Sequence, residues 1–143
     1  MKAYYTITAA FYVAVKQWTG ACFGGSLLLA LLSAWLNPPA SWSELSAVLM
    51  FGAMSGVMVL VLTFVLMLPY VFVVRGVLQR TAQASVRAQQ RTLAITAALW
   101  TLGLAVGLMV LLPGMQSIAR AAFYYLPWVL AAAATARLIR PHV

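Results

Sequence analysis

Acidic residues are nearly missing from this chain: Glu44 is the only Asp or Glu in 143 residues. A single carboxylate cannot supply the acid and base of a hydrolytic pair. Histidine is equally scarce. His142 stands alone, one residue from the end, so a haem held by two histidines has no pair of ligands. Cys22 is the only cysteine, which excludes an intrachain disulfide and leaves no Cys, His and acid cluster for zinc or another transition metal. Neither a phosphate-binding glycine loop nor a serine-nucleophile elbow occurs. The sequence therefore points away from an enzyme and implies no cofactor and no metal.

Charge in general is thin, at 7% of residues, whereas 65% are apolar and the mean hydropathy is +0.99. A soluble domain usually carries about 25% charged and about 45–50% apolar residues. With so few polar side chains, a water-soluble fold could not cover its own surface, so the apolar excess has to face lipid. Nine Lys or Arg give a net charge of +8. These cations sit between long apolar runs and not among exposed aromatics, which argues against nucleic acid as a partner.

Apolar runs fall at about 18–36, 47–74, 92–112 and 119–138. Each is long enough to cross roughly 30 Å of hydrocarbon as a helix. Asn37-Pro38-Pro39, Pro113-Gly114 and Arg140-Pro141 supply breaks, because proline has no amide hydrogen and restricts the residue before it. Ser41-Trp42-Ser43-Glu44 reads as a helix start, with Ser41 or Ser43 as cap and the carboxylate near the positive end of the helix dipole. The expected fold is all-α: a polytopic membrane protein, one domain over 1–143, forming a four-transmembrane-helix bundle.

Orientation follows from the cations. Lys2, Lys16, Arg75, Arg80, Arg87, Arg91, Arg137 and Arg140 share one side if there are four spans, and only Arg120 falls on the other. Positive residues mark the cytosolic side, so both termini are expected in the cytosol, in a membrane of the bacterial inner-membrane type. The stretch Thr19-Gly20-Ala21-Cys22 faintly resembles a lipoprotein cleavage site, but lacks the leucine and follows Lys16-Gln17; a small residue packed in a helix is the expected role of Cys22. A cleavable signal is not expected either: the stretch 3–15 could pass for its apolar core, but it leads into Lys16 and not into a small-residue cleavage site.

Residues 1–17 added to the first run would make a helix of about 50 Å. They are expected to form an interfacial helix along the cytosolic face, with Tyr4, Ile7, Phe11, Val15 and Trp18 as its stripe. One steeply tilted helix is the competing expectation. Pro69 should bend the second helix and free the Val65 carbonyl, with Thr63 near enough to answer it. Arg75 to Thr92, rich in Ala, Gln and Arg, should extend the second and third helices into a cytosolic hairpin.

Candidate site residues follow from small side chains and lone charges. Gly20 and Gly24, Gly52 and Gly56, and Gly103 and Gly107 are pairs four apart, which place a smooth stripe on one helix face and admit a second backbone. Such stripes pack the protein's own helices or receive a partner helix. Arg80, Arg87 and Arg91 are expected on one face of a cytosolic helix, able to grip lipid phosphate or an acidic partner, or acting only as the topology signal. Arg120 and Glu44 are expected close together at the outer boundary, as an ion pair or an anion site, unless the arginine snorkels to the headgroups. Trp100 lies deep in its span and reads as a packing residue; Tyr70 suits the inner aromatic belt. The resulting functional expectation is a non-enzymatic accessory, assembly, regulatory or immunity/exclusion-type subunit that touches lipid and a membrane-protein partner or itself. The alternative is a small homo-oligomeric carrier or channel, with Arg120, Pro69 or Pro127 lining a polar path.

Overall fold

The computed structural model describes residues 6–111 and 118–138. Lys2, His142 and the Pro113-Gly114 and Arg140-Pro141 breaks lie outside these residues. All secondary structure among the described residues is helical: α1 (Ile7–Leu36), α2 (Trp42–Arg80), α3 (Val86–Leu111) and α4 (Ile118–Leu138). Three of them, α1, α2 and α3, are long and apolar enough to cross a membrane. The fourth, diluted by Arg120, Tyr124, Tyr125 and Arg137, is not among the three.

Local chemistry sets the ends. Thr6 caps α1 by accepting from the Ala9 amide at 3.2 Å, and Asn37 closes it through its amide to the Ser33 carbonyl at 2.9 Å. Of the two serines proposed as cap, Ser41 is the one that starts α2, accepting from the Glu44 amide at 3.3 Å. Glu44 reaches back to the Ala40 amide at 2.7 Å, so serine and glutamate each take up a donor that a helix start leaves unpaired. At the other end of α2, both the amide and the hydroxyl of Thr81 donate to the Val77 carbonyl. Ser85 then accepts from the Ala88 amide at 3.3 Å at the start of α3. The hairpin expected from Arg75 to Thr92 is thus present, with a sharp turn between Arg80 and Val86.

The interfacial segment is a correction. α1 runs unbroken for 30 residues, about 45 Å. Its first turns are core: Ala10 and Ala14 are fully buried, and with Val13 and Trp18 they share one core cluster with Met67, Val71 and Val74 of α2 and Ala132 and Ala136 of α4. Of the stripe read from sequence, Ile7 and Phe11 face outward, whereas Val15 packs against the core and Trp18 is buried beside Ala10 and Ala14. The split is physical. Small side chains let helix axes approach, whereas bulky apolar ones are free to face lipid. Lys16 does not break the helix because its ammonium lies outside, 4.4 Å from the Tyr12 ring centre one turn earlier.

Around the bundle, α1 packs against both α2 and α4, and α3 packs against α4. Consecutive α2 and α3 share few contacts. The central pair α1–α4 is close because both present small residues: a Cβ at Gly20 would collide with the Thr135 side chain, and one at Gly25 with the Trp128 ring. Between α1 and α2, a Cβ at Gly52 would come within 2.8 Å of Ala30, and one at Gly56 within 3.0 Å of Phe23. The surface is strongly apolar: Phe51, Leu62 and Val110 are each at least 74% exposed. A soluble monomer rarely leaves so continuous an apolar exterior.

Candidate functional site: a polar cluster where four helices meet

α1 presents Gln17, Trp18, Ala21 and Cys22 to its neighbours, residues one, three or four apart and so on one face. α2 answers with Thr63 and Tyr70, two turns apart. α3 contributes Ala97, Trp100 and Thr101, and α4 contributes Ala132. Gln17 and Tyr70 are each only 2% exposed.

Tyr70 donates its phenolic hydrogen to Gln17 Oε1 at 2.7 Å. The Trp18 indole N–H donates to Thr63 Oγ1 at 2.9 Å, and Thr63 in turn donates to the Val59 carbonyl at 2.6 Å. Cys22 Sγ lies 4.0 Å from the same hydroxyl. The rings form a column through three helices: Trp18 to Tyr70 is 5.7 Å between centroids, and Tyr70 to Trp100 is 5.5 Å, both tilted. Such ring pairs contribute about 0.5–1.5 kcal/mol each beyond the area they bury. Beside the column lies a cavity offering about 20 Å³ to the centre of a water molecule. Gln17 Nε2 and Trp100 Nε1 are buried without a hydrogen-bond partner.

Thr63 does not serve the carbonyl freed by Pro69, as expected from sequence; its hydrogen goes to Val59, one turn earlier, and its lone pairs to Trp18. Tyr70 belongs to the core and not to an interfacial belt. Sequence reasoning missed this cluster. The signal available was Gln17, a polar amide at the edge of a long apolar run, followed directly by a tryptophan.

The residues singled out from sequence fall elsewhere. Gly20 and Gly24 face α4, and Gly52 and Gly56 face α1. Gly103 and Gly107 are exposed, and a Cβ at either would meet nothing within 4 Å. Arg80, Arg87 and Arg91 are exposed but do not share one helix: Arg80 is the last residue of α2, whereas Arg87 and Arg91 are one turn apart on α3, because the chain reverses between them. Glu44 and Arg120 are both exposed, and no ion pair joins them among the described residues; the carboxylate is held by its own helix start. Pro69 is exposed on α2, and Pro127 lines an apolar groove of about 470 Å³ with Leu28, Leu32, Phe123, Leu126 and Leu130.

Comparison with protein families, with curated proteins and with solved structures finds no match.

Proposed function

We infer that this chain is a four-span membrane protein with both ends in the cytosol, placed in a bacterial inner membrane. Within it the chain acts without catalysis, through helix contacts with another membrane protein, as an accessory, assembly, regulatory or immunity-type subunit. The orientation rests on the cations, which gather at the α2–α3 turn and the end of α4. One observation carries the functional reading. Gly20, Gly24 and Gly25 of α1 and Gly52 and Gly56 of α2 are filled by the protein's own helices, whereas Gly103 and Gly107, four apart, open a smooth strip on the exposed face of α3. In lipid such a strip gains most from a second helix, because close backbone approach replaces the missing hydrophobic drive.

The test is affinity purification in mild detergent of the wild type and of Gly103→Leu with Gly107→Leu. A stoichiometric foreign membrane subunit, lost in the double variant while the bundle stays folded, is the expected result. Recovery of the same partner with the leucine variant contradicts the reading. The buried polar cluster favours a second reading, a small homo-oligomeric carrier or channel. A uniform dimer or tetramer containing no other chain would favour that one.

A further inference from the structure

Gln17 Nε2 and Trp100 Nε1 are donors on two helices, α1 and α3, that are not among the closely packed pairs of the bundle. Both residues line the same cavity, and no charged residue does. Gln17 is 98% removed from solvent by the 2% exposure of its side chain, and its Oε1 is already taken by Tyr70. The donor left over therefore has to find an acceptor that no protein group supplies. About 20 Å³ is room for one water molecule, since about 10–15 Å³ on this measure suffices.

We propose that this cavity is a binding site for a single water molecule, which accepts from Gln17 Nε2 and Trp100 Nε1 and so ties α1 to α3 through the bundle centre. Two neutral N–H donors match the two lone pairs of water. Water also carries two hydrogens, and Thr101 and Tyr70, which line the cavity, have hydroxyl oxygens with lone pairs to receive them. A halide would also accept from both donors, but it would give up its hydration with no cation on the cavity wall to offset the loss. The hydrogen bonds between α1 and α2, Trp18 to Thr63 and Tyr70 to Gln17, bind only that pair. The water extends the network to α3.

The experiment is proton–nitrogen NMR of the full-length chain, labelled with ¹⁵N-tryptophan, in lipid nanodiscs. The Trp100 indole N–H is expected to show a cross-peak to a long-lived water, stronger than any from the Trp18 N–H, which lines the same cavity but is bonded to Thr63. Gln17→Met should abolish the Trp100 water contact and leave the resonances of exposed Trp35 and Trp42 in place, which reports that the chain is still folded. A Trp100 N–H with no water contact, or a water contact that survives Gln17→Met, overturns the proposal. So does a saturable shift of the Trp100 resonance on titration with bromide, which would make the occupant a halide.

Discussion

The Tyr70 hydroxyl and the Gln17 amide oxygen lie 2.7 Å apart, 53 positions distant in the chain, and both side chains are buried. The bond fixes the rotation of α1 against α2, since turning either helix by one residue would point a polar group at lipid or at apolar packing. Tyr70→Phe should leave Gln17 Oε1 without its donor and cost about 1–3 kcal/mol. Thermal unfolding in detergent measures this. Combining Tyr70→Phe with Gln17→Met should recover much of the loss, because the buried amide is then gone as well. Strict additivity of the two changes would show that the bond does not couple the helices.

Trp18 and Thr63 form the second tie between the same helices. Thr63→Val keeps the shape and removes the acceptor, and should cost about 0.6 kcal/mol, with about 1.7 as the upper end for bonds between membrane helices. The accompanying sign is spectroscopic: tryptophan emission should shift as the Trp18 indole loses its partner. An unchanged spectrum and an unchanged midpoint would remove Thr63 from the account.

Glycine positions separate by neighbour. Gly20→Leu drives a side chain into Thr135, and Gly52→Leu drives one into Ala30, so each should lose about 1–3 kcal/mol or more from overpacking. A Cβ at Gly103 meets nothing within 4 Å on an exposed face, so Gly103→Leu should leave the unfolding midpoint of the isolated chain unchanged or slightly higher. Equal destabilisation at Gly20 and Gly103 would contradict the packing described here.

Ser41 and Glu44 close the start of α2. Ser41→Ala should cost about 1 kcal/mol, and Ser41→Gly only a few tenths. Hydrogen exchange at the first turn of α2, compared between the two variants, resolves that difference. Because Glu44 is occupied in this way, Arg120→Gln should not change the stability of this end, in contrast to what an ion pair would require.

Orientation can be read with a membrane-impermeant maleimide on single cysteines in a Cys22→Ala background. Cysteine at Arg80 and at Arg137 should label from the cytosolic side, and cysteine at Glu44 and at Arg120 from the opposite side. Labelling of Arg80 and Arg137 positions from opposite sides would mean an odd number of crossings between them and would end the four-span reading.

Much of the architecture was readable before any coordinates. Asn37-Pro38-Pro39 stops a helix by removing amide donors, and Ser41-x-x-Glu44 starts one by supplying acceptors; both act within a few residues and need no tertiary context. Arg75 to Thr92 was equally plain as helix-forming, but nothing in its composition located the reversal after Arg80, which depends on Thr81 and Gln89, whose Nε2 donates to the Thr81 carbonyl at 2.8 Å. The segment before Trp18 was read as a separate interfacial helix because, joined to the first run, it gave about 50 Å; in a chain that is apolar all round, the buried face is better marked by alanine, as Ala10 and Ala14 show. The polar cluster was the hardest to see. Gln17, Tyr70 and Trp100 come from three helices, and their meeting depends on the rotation of each helix about its axis, which a uniformly apolar sequence leaves almost unmarked. The same holds for glycine stripes. Spacing alone made Gly20 and Gly103 equivalent, and only the neighbours distinguish one from the other.

α2 and α3 are joined by the short turn after Arg80, share few contacts, and are each held chiefly by a different central helix, α2 by α1 and α3 by α4. They stand like the legs of a drawing compass, fixed at the pivot and touching again where the Tyr70 ring lies 5.5 Å from that of Trp100. The seam that joins their two supports, Gly20, Gly24 and Gly25 on α1 against Thr135, Ala131 and Trp128 on α4, therefore sets how far apart the legs stand, and any enlargement there would spread them.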